Sequence, residues 1–145
     1  MAVVALWGCD QDANVSNLPG HVAFIGPMQA DMDGDVVTWF GVSDPEGDFV
    51  SAQVEVCPEG GGCFVPELQP GGVVPETLEN LPAVREERAP ALKLIWRPEC
   101  GSGALAGADA PFTVRVSVIA TDIEPMLESL ESAPTTLTEL GLACP

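Results

Sequence analysis

Along most of this chain the apolar residues recur at every second position, which is the mark of strands with one buried face. In residues 49–57, Val50, Ala52, Val54 and Val56 fall on one side and Ser51, Gln53 and Glu55 on the other. Residues 112–122 repeat the pattern, with Phe112, Val114, Val116, Val118 and Ala120 opposite Thr113, Arg115, Ser117 and Thr121. Residues 91–96 turn Leu92, Leu94 and Trp96 inward and Lys93 outward. Residues 36–42 are apolar in both phases, so alternation alone leaves their inward face open. Further strands are predicted at residues 21–25, 63–68 and 135–142. Residues 75–81 and 125–132 read as brief helices, the second through Met126, Leu127 and Leu130, with Pro134 to end it.

Turn residues separate these segments: Asp31-Met32-Asp33-Gly34, Asp44-Pro45-Glu46-Gly47, Gln69-Pro70-Gly71-Gly72 and Gly101-Ser102-Gly103. A chain of 145 residues is one domain by length. With about seven short strands at this spacing, the expected fold is an all-β, antiparallel two-sheet sandwich. No internal repeat is visible.

Charge narrows the possible partners. The chain has 22 acidic and 5 basic residues, a net charge of -17, so nucleic acid and anionic membrane faces would repel it. No apolar run approaches the roughly 18 residues of a spanning helix. The first six residues, Met1 to Leu6, are nevertheless apolar, and they lead into Leu6-Trp7-Gly8-Cys9 before the chain turns polar at Asp10, Gln11, Asp12 and Asn14. This tetrapeptide resembles the lipobox of exported bacterial lipoproteins: a leucine three before the cysteine, a small residue before the cut, and a thiol to take the diacylglycerol. The resemblance implies lipidation of Cys9, removal of residues 1–8 as a signal remnant, and an envelope location on the periplasmic or extracellular side. The competing reading is a spare thiol in a frayed N-terminus. Residues 9–20, rich in Asp, Gln, Asn and Ser and closed by Pro19-Gly20, read as a tether, and residues 21–145 as the sandwich.

Cysteine usage agrees with export. Cys57, Cys63, Cys100 and Cys144 remain once Cys9 is set aside, and they allow three connectivities. Pro58-Glu59-Gly60-Gly61-Gly62 is a turn that returns the chain beside itself, which favours Cys57–Cys63 and leaves Cys100 for Cys144. Zinc is the alternative for the same cysteines, but there is neither a Cys-x-x-Cys pair nor a partnering His. Disulfides place the chain in an oxidising compartment.

The stretch from Gly34 through Val36-Val37-Thr38-Trp39-Phe40-Gly41-Val42 and Asp44-Pro45-Glu46-Gly47-Asp48 to Val50–Val56 is similar to the first hairpin of bacterial extracellular immunoglobulin-like modules. The fibronectin type III and cadherin-like kinds add a Trp-bearing strand and a strand ending in Ala-Thr-Asp. Here Leu92-Lys93-Leu94-Ile95-Trp96 and Val114 to Asp122 stand in those places. The likeness spans residues 34–122 and implies an immunoglobulin-like sandwich. Such a module presents surfaces to other envelope or surface proteins or supports them, and seldom catalyses. Because the chain has no Tyr, the tyrosine corner of true immunoglobulin domains is missing, and only the wider sandwich class is implied.

Two other chemistries are open to the residues. Asp31, Asp33 and Asp35 stand at alternate positions and could converge on calcium, with help from Asp44, Glu46, Asp48 or Asp122, in a calcium-dependent adhesion or ligand-binding domain. An EF-hand does not fit, since its glycine and bidentate acid would fall at Val36 and Val42. The bland alternative is a solvated acidic turn. A small secreted hydrolase would need a nucleophile with a base, or a chosen pair of carboxylates. The only His is His21, no Gly-x-Ser-x-Gly occurs, and nothing singles out two of the acids, so the expectation is no enzyme and no cofactor. Trp39 and Trp96 fall in strands and read as core, and Glu86-Glu87-Arg88 as a solvated loop.

Overall fold

The computed structural model describes residues 20–44, 50–72, 89–119 and 128–145, and none of them is helical. They contain eight strands: β1 (His21–Ile25), β2 (Gln29–Ala30), β3 (Val36–Ser43), β4 (Ser51–Pro58), β5 (Glu67–Leu68), β6 (Leu92–Arg97), β7 (Phe112–Ile119) and β8 (Glu128–Glu131). One antiparallel sheet has the order β1-β3-β6-β5, with β2 also on β3, and the other is β4-β7-β8. The chain is an all-β, two-sheet sandwich.

β1 and β2 are two halves of one edge. β1 pairs with Phe40 to Ser43 of β3 and β2 with Val36 and Val37. Between them the Gly26 amide donates to the Trp39 carbonyl at 2.6 Å, and then Pro27, which has no N–H to give, interrupts the ladder. The β1–β3 register shifts between Val22 and Phe24. Phe24 comes opposite Gly41, and its ring lies where a Cβ at that position would stand. Glycine is needed at position 41 for this close approach.

Pairing resolves the phase of β3. Val36, Thr38, Phe40 and Val42 are buried on the inner side, with Val36 opposite Trp96, Thr38 opposite Leu94 and Phe40 opposite Leu92. Val37 pairs with Ile95 and Trp39 with Lys93 on the outer side, where the Lys93 ammonium sits 6.0 Å from the Trp39 ring centre. From the second sheet, Ala52, Val54 and Val56 of β4 and Phe112, Val114, Val116 and Val118 of β7 meet the inner side in one core. Trp96 and Phe112 make an edge-to-face contact, with ring centres 5.8 Å apart and planes at 86°. Each fully buried large side chain contributes about 1.5–3 kcal/mol.

Three expectations are corrected. Residues 128–131 are strand rather than helix, because Leu130 pairs with Val116 and extends the second sheet. Residues 135–142 are not a strand. Thr135 bridges Phe112 and the chain then turns, with the Leu140 and Leu142 amides both donating to the Leu137 carbonyl and Gly141 at φ 80°. Within residues 63–68, only the Phe64 bridge to Val56 and the two-residue β5 are extended pairings. The helix expected at residues 75–81 and the start of the one at residues 125–132 lie outside the described residues.

Candidate functional site

β4 ends in a cross-linked hairpin. The Val56 and Phe64 amides exchange hydrogen bonds at 2.8 and 2.9 Å, which brings the next pair outward, Cys57 and Cys63, to a Cα separation of 4.1 Å. They form a disulfide, and Cys100 and Cys144 form the second. The second bridge spans 44 positions and ties the C-terminal turn to the loop before Leu105. That turn inserts Leu137, fully buried, into the core. A cleft of about 370 Å³ opens beside the hairpin, with Cys57, Pro58, Glu59, Phe112, Thr113 and Glu131 among its walls. A second, of about 400 Å³, lies where the β1–β2 interruption faces residues 132–135 and Leu140.

The acidic turn joins β2 to β3. Asp31 Oδ1 accepts from the amides of Asp33 and Asp35, both at 2.9 Å, while the Asp31 amide donates to the Asp35 carbonyl at 2.9 Å. Asp35 is buried and its Oδ1 accepts from Arg97 Nε at 3.3 Å. The turn therefore uses the Asp31 carboxylate on its own backbone and the Asp35 carboxylate on a guanidinium. Among the described residues, no group of three His, Cys, Asp or Glu side chains is placed to hold a metal ion. Asp44 is buried, whereas Glu46, Asp48 and Asp122 lie outside the described residues, as does Cys9.

The outward face of the second sheet carries a polar ladder. Register sets Glu55 opposite Arg115 and Arg115 opposite Glu131. Arg115 donates to Glu55 at 2.9 Å. That hydrogen bond, with the charges of Glu55 and Glu131, holds the guanidinium protonated even beyond its ordinary range, although burial opposes it. One step along, the hydroxyls of Ser117 and Ser129 lie 2.7 Å apart, and Thr113 donates to Glu131 at 3.4 Å. Sequence reasoning missed this ladder. Its signal was present in the outward positions of two alternating segments, an acid on one and a base on the other, but only register joins them.

His21 and Ser43 are register partners, and Ser43 Oγ lies 2.8 Å from His21 Nε2. A hydroxyl beside an imidazole is the start of a nucleophile–base pair, yet Ser43 is only 1% exposed and its oxygen is not presented to a substrate. Trp96 is wholly buried, and its indole N–H donates to Thr38 Oγ1 at 3.1 Å, so it belongs to the core. Trp39 is half-buried on the outer face of the first sheet, where sequence reasoning had read core. No family model, curated protein or solved structure matches the chain.

Proposed function

We propose that this chain is an exported, lipid-anchored module with an immunoglobulin-like sandwich, and that it acts by presenting surface to another envelope protein rather than by catalysis. The observation that carries the immunoglobulin-like part of this reading is strand order. β1 with β2, then β3, β6 and β5, against β4, β7 and β8, follow the chain in the order that constant-type immunoglobulin domains use for strands A, B, E and D against C, F and G. Two disulfides support an oxidising compartment.

In this account Cys9 holds the chain at the membrane on the periplasmic or extracellular side, residues 10–20 give reach, and the sandwich meets the partner. The presented surface is the outward face of the β4-β7-β8 sheet, where Gln53, Glu55, Thr113, Arg115, Ser129 and Glu131 offer hydrogen-bonding groups in fixed register. A net charge of -17 selects partners with basic patches and keeps nucleic acid away. The membrane is contacted through the lipid alone.

The experiment is fractionation of a bacterial host that expresses the full chain, fed with a clickable fatty acid. The native chain is expected in the membrane fraction with the label, and the Cys9→Ser chain unlabelled in the soluble fraction. Equal partitioning of the two would overturn lipid anchoring.

A further inference from the structure

The two disulfides stand in different surroundings. Cys100 and Cys144 are partly buried and packed against the core. Cys63 is exposed and Cys57 half-buried, and neither belongs to the core cluster. The loop between them, Pro58 to Gly62, has little to shield a sulfur: around Gly60 and Gly62, nothing lies within 4 Å of where a Cβ would stand.

The backbone on both sides of the bridge is held without it. Val56 and Phe64 exchange two hydrogen bonds, Cys57 is paired with Thr113 in the β4–β7 ladder, and the Glu59 amide donates to the Pro111 carbonyl at 2.9 Å. The ring that the bridge closes spans only six positions, against 44 for the other. Opening it is therefore a local event. The second closes a far longer loop and both of its cysteines are packed against the core, so opening it disturbs core packing.

We propose that Cys57–Cys63 is a thiol–disulfide exchange site, reducible in the folded protein, and that Cys100–Cys144 is the structural bridge. The co-reactant is a dithiol. Its thiolate attacks the sulfur of Cys63, the exposed residue of the pair, an S–S bond forms between the two, the Cys57–Cys63 bond breaks, and Cys57 leaves as a thiolate that takes up a proton. The second thiol of the reagent then attacks its own sulfur in the mixed disulfide. Cys63 is released and protonated, the reagent closes to a cyclic disulfide, and the two electrons it has lost reside in two protein thiols. Because Cys57, Pro58 and Glu59 line the 370 Å³ cleft, the oxidation state of the bridge sets the stiffness of one wall of that cleft.

The test is a timed exposure of the oxidised full chain to dithiothreitol under native conditions, quenched by alkylation and read by peptide mass, with tryptophan fluorescence followed in parallel. Cys57 and Cys63 are expected to label at least about ten-fold faster than Cys100 and Cys144, with the fluorescence unchanged, as access controls exchange. A smaller ratio, or labelling of Cys57 and Cys63 only as the fluorescence changes, would overturn the proposal. The double variant Cys57→Ser/Cys63→Ser supplies the second arm. It is expected to fold with Cys100–Cys144 as resistant as before, and failure to fold would equally overturn the proposal, since the bridge could not then open locally.

Discussion

Trp96 Nε1 donates to Thr38 Oγ1 at 3.1 Å across neighbouring strands, and both residues are wholly buried. The largest side chain of the core thus has its one polar atom satisfied by the one hydroxyl that faces it from β3. Thr38→Val keeps the shape but leaves the indole N–H without an acceptor. The expected loss is about 1–3 kcal/mol in urea unfolding, and Thr38→Ser should recover most of it. A Thr38→Val chain as stable as the native one would show that the bond contributes nothing.

Gly41 and Phe24 form a second coupled pair. A methyl at position 41 would overlap the Phe24 ring, so Gly41→Ala should cost about 1–3 kcal/mol. In the background of Phe24→Ala the added cost should largely disappear. A double-mutant cycle reads this coupling, and strictly additive losses would contradict the contact.

Loop closure separates the bridges in stability. The chain entropy removed by closing each loop is about 2 kcal/mol for the Cys57–Cys63 ring and about 4 kcal/mol for Cys100–Cys144. Replacing Cys100 and Cys144 by Ser should therefore lower the unfolding midpoint more than replacing Cys57 and Cys63. The reverse ranking would mean that packing and hydrogen bonds hold the C-terminal turn without help from the bridge.

The Asp31 turn makes a prediction about calcium. With Asp31 engaged by two amides and Asp35 by Arg97, millimolar Ca²⁺ should leave the melting temperature unchanged, and chelator likewise. Asp31→Ala should destabilise by about 1–2 kcal/mol, with or without the ion. A calcium-dependent rise in the native chain that Asp31→Ala abolishes would instead make the turn a cation site.

On the outer ladder, Glu55→Gln should cost no more than about 1 kcal/mol, because both partners are partly exposed. The raised Arg115 pKa gives the guanidinium's share of this pair a definite sign. Its contribution is fully present below the ordinary guanidinium range and is lost only as pH rises through the higher folded value. Between about pH 6 and 9 the difference between native and Glu55→Gln chains should be flat. A slope there would mean that another group titrates with the pair.

How far the fold was legible depended on how local each cause is. Alternation in residues 51–58 and 112–119 needed no partner to be read, and β4 and β7 formed there. β3 is apolar on both sides because Val37 and Ile95 cover each other on the outer face, so its phase was decided by register with β6. Glu128-Ser129-Leu130-Glu131 has no strand signal of its own and is extended because β7 offers it a free edge. Thr135 to Leu142 is rich in Thr and Leu, but its leucines stand at 137, 140 and 142, and the Leu137–Leu140 spacing closes a turn once both leucines reach the core. At the site, the sequence marked Asp31 as acidic without showing that its oxygen points at backbone amides. The turn Pro58 to Gly62 did mark the hairpin, since a short glycine-rich return leaves two flanking cysteines few other partners.

Export with two closed bridges and a lipid on Cys9 is the claim from which the functional account follows, and intact mass of the chain from a membrane fraction, taken without reductant, tests it most directly. The expected mass is that of residues 9–145 plus a diacylglycerol-type adduct, less four hydrogens for the bridges Cys57–Cys63 and Cys100–Cys144. A chain that still carries residues 1–8, without lipid and with free thiols, would contradict it.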